Sequence, residues 1–391
     1  MAYSEPLILL VDDSQVSIDF LKDILRNYRL LTAKDGMEAL RLAGSEPRPD
    51  LILLDVVMPG IDGYETCRRL KQMPNCAGVP IIFLTAQTGA EHIIKGFEAG
   101  AVDYIPKPYN IPELLARVKN QLTLKLARDQ NINLMQKIES INRQIVAGIR
   151  YARKIQKASL PQQAYMEKIL PEHFIFFQPK EIVSGDFYWV GKVGEHLVVI
   201  VADSTGHGVP GAFMSMYGLA LLNQIVGAQQ ISCPATILDN LREQVIASFN
   251  QTQLSEIKDG MDISVVSIHP KSKTLQFAGA FNPMYLISDS ELKVISADSM
   301  PISIGVKDRP YKNNVLSYKA GECLYLVTDG FASQFGGIFD KKIKSSGLKK
   351  LMLEYSQLPI REQKDAFASY FEEWKAGGEQ TDDVLLMGLR L

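Results

Sequence analysis

Residues 197–214 read LVVIVADSTGHGVPGAFM, an unbroken apolar run that stops on Asp203 and gives way to a glycine-rich turn. Residues 198–202 are β-favouring or small and apolar, which predicts a buried strand. A carboxylate directly after such a strand is an aimed group, because desolvating it without a partner is costly. Gly206, Gly208 and Gly211 let the backbone turn tightly around whatever that carboxylate holds. Taken alone, the stretch fits either a metal or phosphate site at a strand end or a plain strand-to-helix turn with Asp203 as the helix N-cap. The other acidic residues decide between the two.

From residue 170 onward strand signals dominate: HFIFFQP, DFYWVGKV, HLVVIVAD, DISVVSIH, TLQFAGAF, MYLIS, CLYLVTDG and DVLLMGLRL. Helices are expected at 211–226, 234–252 and roughly 345–375. Many strands with grouped helices predict an α+β two-sheet sandwich flanked by helices. Acidic residues recur at the strand ends: Asp186, Asp203, Asp329, and Asp382 beside Asp383. Some follow apolar runs and others precede them, so adjacent antiparallel strands would gather them at one edge. Burying such a cluster without cations is expensive. Carboxylate and carbonyl donors without His or Cys select Mg²⁺ or Mn²⁺ over zinc. Two such ions sharing a water lower its pKa and aim it at phosphorus, which predicts phosphate ester hydrolysis without a covalent enzyme intermediate. His207 is either a general acid, suited by the near-neutral titration of imidazole, or a packing residue of the glycine turn. Asp262 in KDGMDISVV is either a further ligand or a strand-start residue.

With GD, DxxGHG, TDG and DD in that order, residues from about 170 to 391 resemble the PPM-type (type 2C-like) serine/threonine phosphatases, in the bacterial branch named for the sporulation stage II E phosphatase. The resemblance implies two Mn²⁺ or Mg²⁺ ions bridged by Asp203. Asp186 and the Ser204 carbonyl would complete one ion's site, and Asp329 and Asp382, in preference to Asp383, the other. Two departures stand out. The chain reads AGAFNP where many relatives have AGHNP, which removes a histidine beside Asn282, and the phosphate-binding arginine of the eukaryotic branch has no counterpart. A phosphorylation-switched binding module or adaptor with an inactive phosphatase fold is the alternative, and loss of these carboxylates would be its mark.

Residues 1–120 alternate apolar runs, LILLV (7–11), LILLD (51–55), PIIFLT (80–85) and VDYIPKP (102–108), with amphipathic segments. Strands separated by helical crossovers predict a doubly wound α/β domain with a five-stranded parallel sheet and functional loops at the strands' carboxyl ends. Asp12, Asp13, Asp55, Thr85 and Lys107 fall at those ends. Converging carboxylates call for a hard divalent cation, Mg²⁺, and Lys107 suits a phosphoryl group. Residues 5–124 thereby resemble a response-regulator receiver domain. The resemblance implies Asp55 as phospho-acceptor from a sensor histidine kinase, and Asp12, Asp13 and the Val57 carbonyl as Mg²⁺ ligands. Thr85 and Tyr104 become switch residues, Lys107 pairs the phosphate, and the Lys107–Pro108 bond is expected to be cis.

Between the two, residues 121–160 carry 8 basic and 2 acidic side chains, against 13 and 16 in residues 1–120 and 21 and 26 in 161–391. Leu124, Asn131, Ile138, Ile145 and Ala152 recur every seven residues, as do Ala127, Leu134, Ile141, Gly148 and Ile155. This is a two-stripe heptad pattern, which predicts a helical coiled-coil linker and a homodimer, with Gly148 as a weak point. Arg143, Arg150 and Lys157 share the outermost heptad position, so the basic excess reads as a solvated face and not as a nucleic-acid surface. Four scattered cysteines without CxxC spacing predict reduced packing residues. The apolar run at 7–11 is stopped by Asp12 and Asp13, and no later run was expected to reach membrane-spanning length, so the chain is expected to be cytoplasmic. The expected division is receiver 1–122, linker 123–160 and phosphatase 161–391. Its substrate would be a phosphoserine or phosphothreonine protein, with an anti-sigma-factor antagonist the candidate that the resemblance suggests.

Overall fold

The computed structural model describes residues 5–87, 89–250, 260–303 and 309–391. The chain forms two compact units, 1–142 and 143–391.

In the first unit β1 (Leu7–Val11), α1 (Gln15–Ile24), β2 (Arg29–Ala33), α2 (Gly36–Ala43), β3 (Leu51–Asp55), α3 (Gly63–Gln72), β4 (Ile81–Thr85), α4 (Ala90–Glu98) and β5 (Asp103–Pro106) alternate, followed by α5 (Ile111–Ser159). The sheet runs β2-β1-β3-β4-β5, all parallel. Helices cover both faces, so every residue of β1, β3 and β4 is buried, which is why these strands are written as continuous apolar runs. Ser14, Asp35 and Asp62 cap α1, α2 and α3 through side-chain acceptors for Ser17, Glu38 and Glu65 amides, each cap being worth about 1 kcal/mol.

Helix α5 is a single element of 49 residues that runs through Gly148 without a break. Its first turns pack Leu114, Val118 and Leu122 into the first unit's core. Beyond them Leu124, Leu134, Ile138, Ile141, Ile145 and Ile155 are 46–62% exposed.

The second unit contains α6 (Gln163–Ile169), β6 (His173–Gln178), β7 (Phe187–Val193), β8 (His196–Ser204), α7 (Gly208–Leu222) continued by a π-helical turn (Asn223–Ala228), α8 (Pro234–Asn250), β9 (Met261–His269), β10 (Thr274–Ala280), β11 (Met284–Ser288) and β12 (Glu291–Ile295). It continues with β13 (Asn314–Ser317), β14 (Cys323–Val327), α9 (Gly330–Ser333), β15 (Phe335–Gly336), β16 (Lys341–Lys342), α10 (Lys344–Tyr355), α11 (Ile360–Lys375) and β17 (Val384–Arg390). Two five-stranded antiparallel sheets, β13-β10-β9-β8-β7 and β12-β11-β14-β17-β6, face each other. Strand β8 shows why its sequence is apolar throughout. Val199 and Val201 pack with Leu324, Leu326, Leu385 and Met387 of the opposing sheet, whereas Val198, Ile200 and Ala202 pack against Leu219, Leu222 and Leu241 of the covering helices.

The helix expected over 345–375 is two helices, α10 and α11, separated at Pro359. Proline has no amide to donate and biases the preceding residue away from helical geometry. The last two positions of the helix expected over 234–252 lie outside the described residues. The stretch Gly208–Ala228 is long and apolar enough to cross a membrane, contrary to the sequence expectation, and half of it is buried inside the protein. All four cysteines are free, with Cys67, Cys76 and Cys323 buried.

Candidate metal centres

Parallel pairing of β1, β3 and β4 sends their carboxyl ends to one edge, where one oxygen each of Asp12, Asp13 and Asp55 lies within 4.8 Å of the others. Asp12 and Asp55 are buried and Asp13 is exposed. The Lys107 Nζ donates to Asp12 Oδ2 at 2.8 Å and lies 2.9 Å from Asp55 Oδ2, and the Val56 amide donates to Asp55 Oδ1 at 2.8 Å. Burial pushes the Asp55 carboxyl above its usual range, outweighing the opposing pull of Lys107. Burial works against the Lys107 charge too, but its hydrogen bonds to Asp12 and Asp55 prevail and hold it above the ordinary lysine value. Thr85, buried at the end of β4, accepts the Gln87 amide at 2.9 Å. Thr85 and the half-buried Tyr104 line one small cavity beside α4. Val57, two residues beyond Asp55, is exposed, and the Lys107–Pro108 bond is cis.

In the second unit antiparallel pairing sets Asp203, near the end of β8, directly opposite Asp262 in β9. Asp329 follows β14 and Asp382 precedes β17. These four carboxylates, with Ser204 and His207, line one open cavity. Gly206, at φ +89°, makes the turn below it. A Cβ on Gly330 would stand 1.8 Å from the Asp383 carbonyl oxygen, so the loops bearing Asp329 and Asp382 approach as closely as backbones allow.

Asp186 is fully buried, and its Oδ2 accepts from the Thr328 hydroxyl at 2.6 Å. The same Thr328 oxygen accepts the Leu385 amide at 3.0 Å. Burial, with Asp203 next in weight, pushes Asp186 well above the usual carboxylate range. Burial followed by Asp329, Asp382 and Asp262 pushes Asp203 up to about 8, and burial followed by Asp329 pushes Asp262 up to about 6. The charges acting on Asp203 are thus other carboxylates, and an all-oxygen donor set carrying that much unrelieved repulsion fits hard divalent cations. Asp186, Asp203, Asp329, Asp382, Asp262 and the Ser204 carbonyl are the groups available to hold them.

The other candidates sit differently. Asp383 is buried and turned to the main chain, accepting the Lys180 and Gly185 amides at 2.7 Å each. It secures the loop that carries Asp186. The Asn282 side-chain Nδ2 donates to the Asp262 carbonyl at 3.1 Å, and the Asn282 backbone carbonyl accepts from the Ser264 hydroxyl at 2.8 Å, which pins the start of β9. His207 at the cavity rim has Nδ1 2.6 Å from Glu181 Oε1.

Three residues escaped sequence reasoning: Thr328, Glu181 and Gln156. Gln156, in the last turns of α5, is buried; its Nε2 donates to the Ser184 carbonyl at 2.6 Å and the Ser215 hydroxyl at 2.8 Å, and its Oε1 accepts the Ser184 amide at 3.2 Å. It therefore grips the residue two before Asp186. In sequence it is one more polar residue flanking a heptad stripe.

Each of the two units resembles known proteins. Residues 8–119 match the response regulator receiver domain, and residues 194–391 match stage II sporulation protein E. The chain is 41% identical over 131 residues to a probable cyclic di-GMP phosphodiesterase of Vibrio cholerae, covering 33% of this chain and 30% of that protein. It is 41% identical over 125 residues to the response regulator PleD of Caulobacter vibrioides, covering 32% of this chain and 27% of that protein. These curated relatives are thus matched over less than a third of their length. The SiaA-PP2C domain of Pseudomonas aeruginosa superposes with a TM-score of 0.59 at 30% identity, covering 64% of this chain and 98% of that domain. The chain accordingly belongs to the stage II sporulation protein E family of PP2C-type phosphatase domains and carries a response regulator receiver domain ahead of it.

Proposed function

We propose that this chain is a two-component output enzyme with a receiver (1–122), a helical linker (123–160) and a phosphatase (161–391). Phosphorylation of Asp55 by a histidine kinase controls metal-dependent removal of phosphate from a protein serine or threonine. The observation that carries this reading is the carboxylate cavity of Asp203, Asp262, Asp329 and Asp382, with Asp186 behind it.

When bound, a pair of Mg²⁺ or Mn²⁺ ions supplies a water of lowered pKa and neutralises phosphoryl charge. The protein's part is to hold donors in place. Thr328 fixes the Asp186 carboxylate, Asp383 and Gln156 hold the loop on either side of it, and Asn282 steadies Asp262. Glu181 orients the His207 ring at the rim, where it can give a proton to the departing serine or threonine oxygen. In the receiver, Asp12, Asp13 and the Val57 carbonyl hold Mg²⁺, and Lys107, already on Asp12 and Asp55, meets the phosphoryl charge. Thr85 and Tyr104, sharing one cavity, carry the change to the α4 side of the sheet.

Helix α5 begins in the receiver and ends with Gln156 on the Asp186 loop, so a change at one end has a continuous element along which to act. Its exposed apolar stripe, Leu124 to Ile155, is the seam of a parallel homodimer. An anti-sigma-factor antagonist is the substrate class that fits this domain pairing. The test is phosphate release from p-nitrophenyl phosphate with Mn²⁺. Activity is expected in the intact chain, abolished by Asp203→Asn, and made unresponsive to acetyl phosphate by Asp55→Ala. Activity surviving Asp203→Asn overturns the metal site and favours the adaptor reading.

A further inference from the structure

Close to the metal-ligand loops stands a small hairpin, β15 and β16, whose tip is unusually apolar for a solvent-facing turn. Ile338 is 96% exposed and Phe339 77% exposed. The hairpin is fastened by hydrogen bonds to α11 and to the segment before Asp382. Gly337 donates its amide to the Trp374 carbonyl at 2.8 Å, and Trp374 Nε1 donates to the Lys341 carbonyl at 3.2 Å. At the base, the fully buried Gln334 donates to the Phe335 and Glu379 carbonyls at 2.8 and 3.0 Å, and accepts the Thr381 amide at 3.0 Å. Phe335 returns its own amide to the Thr381 hydroxyl at 3.4 Å. Thr381 immediately precedes Asp382, and the hairpin begins six residues after Asp329. The arm is therefore built onto the two loops that supply carboxylates to the cavity.

Three exposed lysines, Lys341, Lys342 and Lys344, against one exposed carboxylate, Asp340, give the arm a net positive charge. Lys341 and Lys342 are exposed, with Nζ 5.4 Å from the centre of the Phe339 ring and 5.3 Å from that of Phe335, and the exposed Lys344 follows. Adjacent exposed apolar side chains at the tip, rimmed by the lysines of the stem, have the make-up of an interaction surface. Acidic side chains next to a scissile phosphate are received by these lysines.

We propose that the hairpin 335–342 is the docking arm for the protein substrate and that it receives an acidic segment flanking the phosphoserine. Apolar contact is made by Ile338 and Phe339 and charge pairing by Lys341 and Lys342. This rests on the phosphatase reading above and adds the class of substrate.

The experiment compares two substrates of the intact, Mn²⁺-loaded chain, in whichever receiver state gives the faster p-nitrophenyl phosphate hydrolysis. One is p-nitrophenyl phosphate, too small to reach the arm. The other is phosphocasein, whose phosphoserines stand among glutamates. For Ile338→Ser with Phe339→Ser, and separately for Lys341→Glu with Lys342→Glu, kcat/KM for phosphocasein is expected to fall about tenfold or more, as for loss of an interface hot spot, with the change in KM. The p-nitrophenyl phosphate rate stays within about twofold, which also shows that the variants fold. Equal losses on both substrates, no loss on either, or a wild type that hydrolyses only p-nitrophenyl phosphate overturns the docking arm. A wild type that hydrolyses neither overturns the phosphatase reading itself.

Discussion

Thr328 shows how one hydroxyl serves fold and site together, donating to Asp186 while accepting the Leu385 amide of the neighbouring strand. Replacing it by Val keeps the shape and removes both hydrogen bonds. Metal affinity is expected to weaken about 10–100-fold, the range for loss of a ligand's supporting hydrogen bond, and Thr328→Ser should restore it. An Mn²⁺ titration of activity measures this; an unchanged midpoint would remove Thr328 from the site. The carboxylates themselves give a pH signature. Asp203 and Asp262 hold protons in the folded metal-free chain up to about 8 and about 6, whereas an unfolded carboxyl releases its proton near pH 4. Over that window the folded state binds more protons than the unfolded state, so metal-free stability falls as pH rises from about 4 to about 8. Melting in chelator should shift downward between pH 5 and pH 8, and Mn²⁺ should reverse most of the loss at pH 8. A flat profile would mean the repulsion is relieved by other means. Asp186, Asp203, Asp329 and Asp382 stand out in the sequence as candidates because each adjoins an apolar strand. Thr328 and Gln156 do not, because their partners lie 142 and 28 residues away in sequence and nothing local marks the contact.

Among the elements, the strands were the easiest to read. Strand β8 is apolar throughout because one face meets the second sheet and the other meets helices, and the same holds for β1, β3 and β4. Helix ends are harder to read: the helix expected over 345–375 is broken before Pro359 into α10 and α11. Helix α5 was read as a linker by its heptads, but its continuity from Ile111 through Gly148 follows from unbroken backbone hydrogen bonding that a single glycine, at a cost of about 1 kcal/mol relative to Ala, does not interrupt. Two element-scale predictions follow from its exposed stripe and its buried end. Ile138→Lys with Ile145→Lys should convert a dimer to a monomer in light scattering at tens of micromolar; a wild type that is already monomeric, phosphorylated or not, would refute the seam. Gln156→Ala leaves the Ser184 amide without its partner and should cost about 1–3 kcal/mol in denaturant unfolding, with the response to receiver phosphorylation lost. Wild-type stability and response in that variant would remove Gln156 from the coupling.

At the scale of the whole chain, a receiver and a phosphatase share one helix; the receiver carries a carboxylate cluster and the phosphatase a carboxylate-lined cavity. Control requires that Asp55 phosphorylation favour one phosphatase conformation over another. Moving that equilibrium from about 1:99 to 99:1 takes about 5.5 kcal/mol of differential stability, much of which a phosphoryl group can supply if it reorganises a dimer contact or the connecting helix. The most direct test is the initial rate of Mn²⁺-dependent p-nitrophenyl phosphate hydrolysis by the intact chain, with and without acetyl phosphate, beside Asp55→Ala. Phosphorylation is expected to change the wild-type rate severalfold, in either direction, and to leave that of Asp55→Ala unchanged. An identical wild-type rate in both states would contradict control of the phosphatase through Asp55.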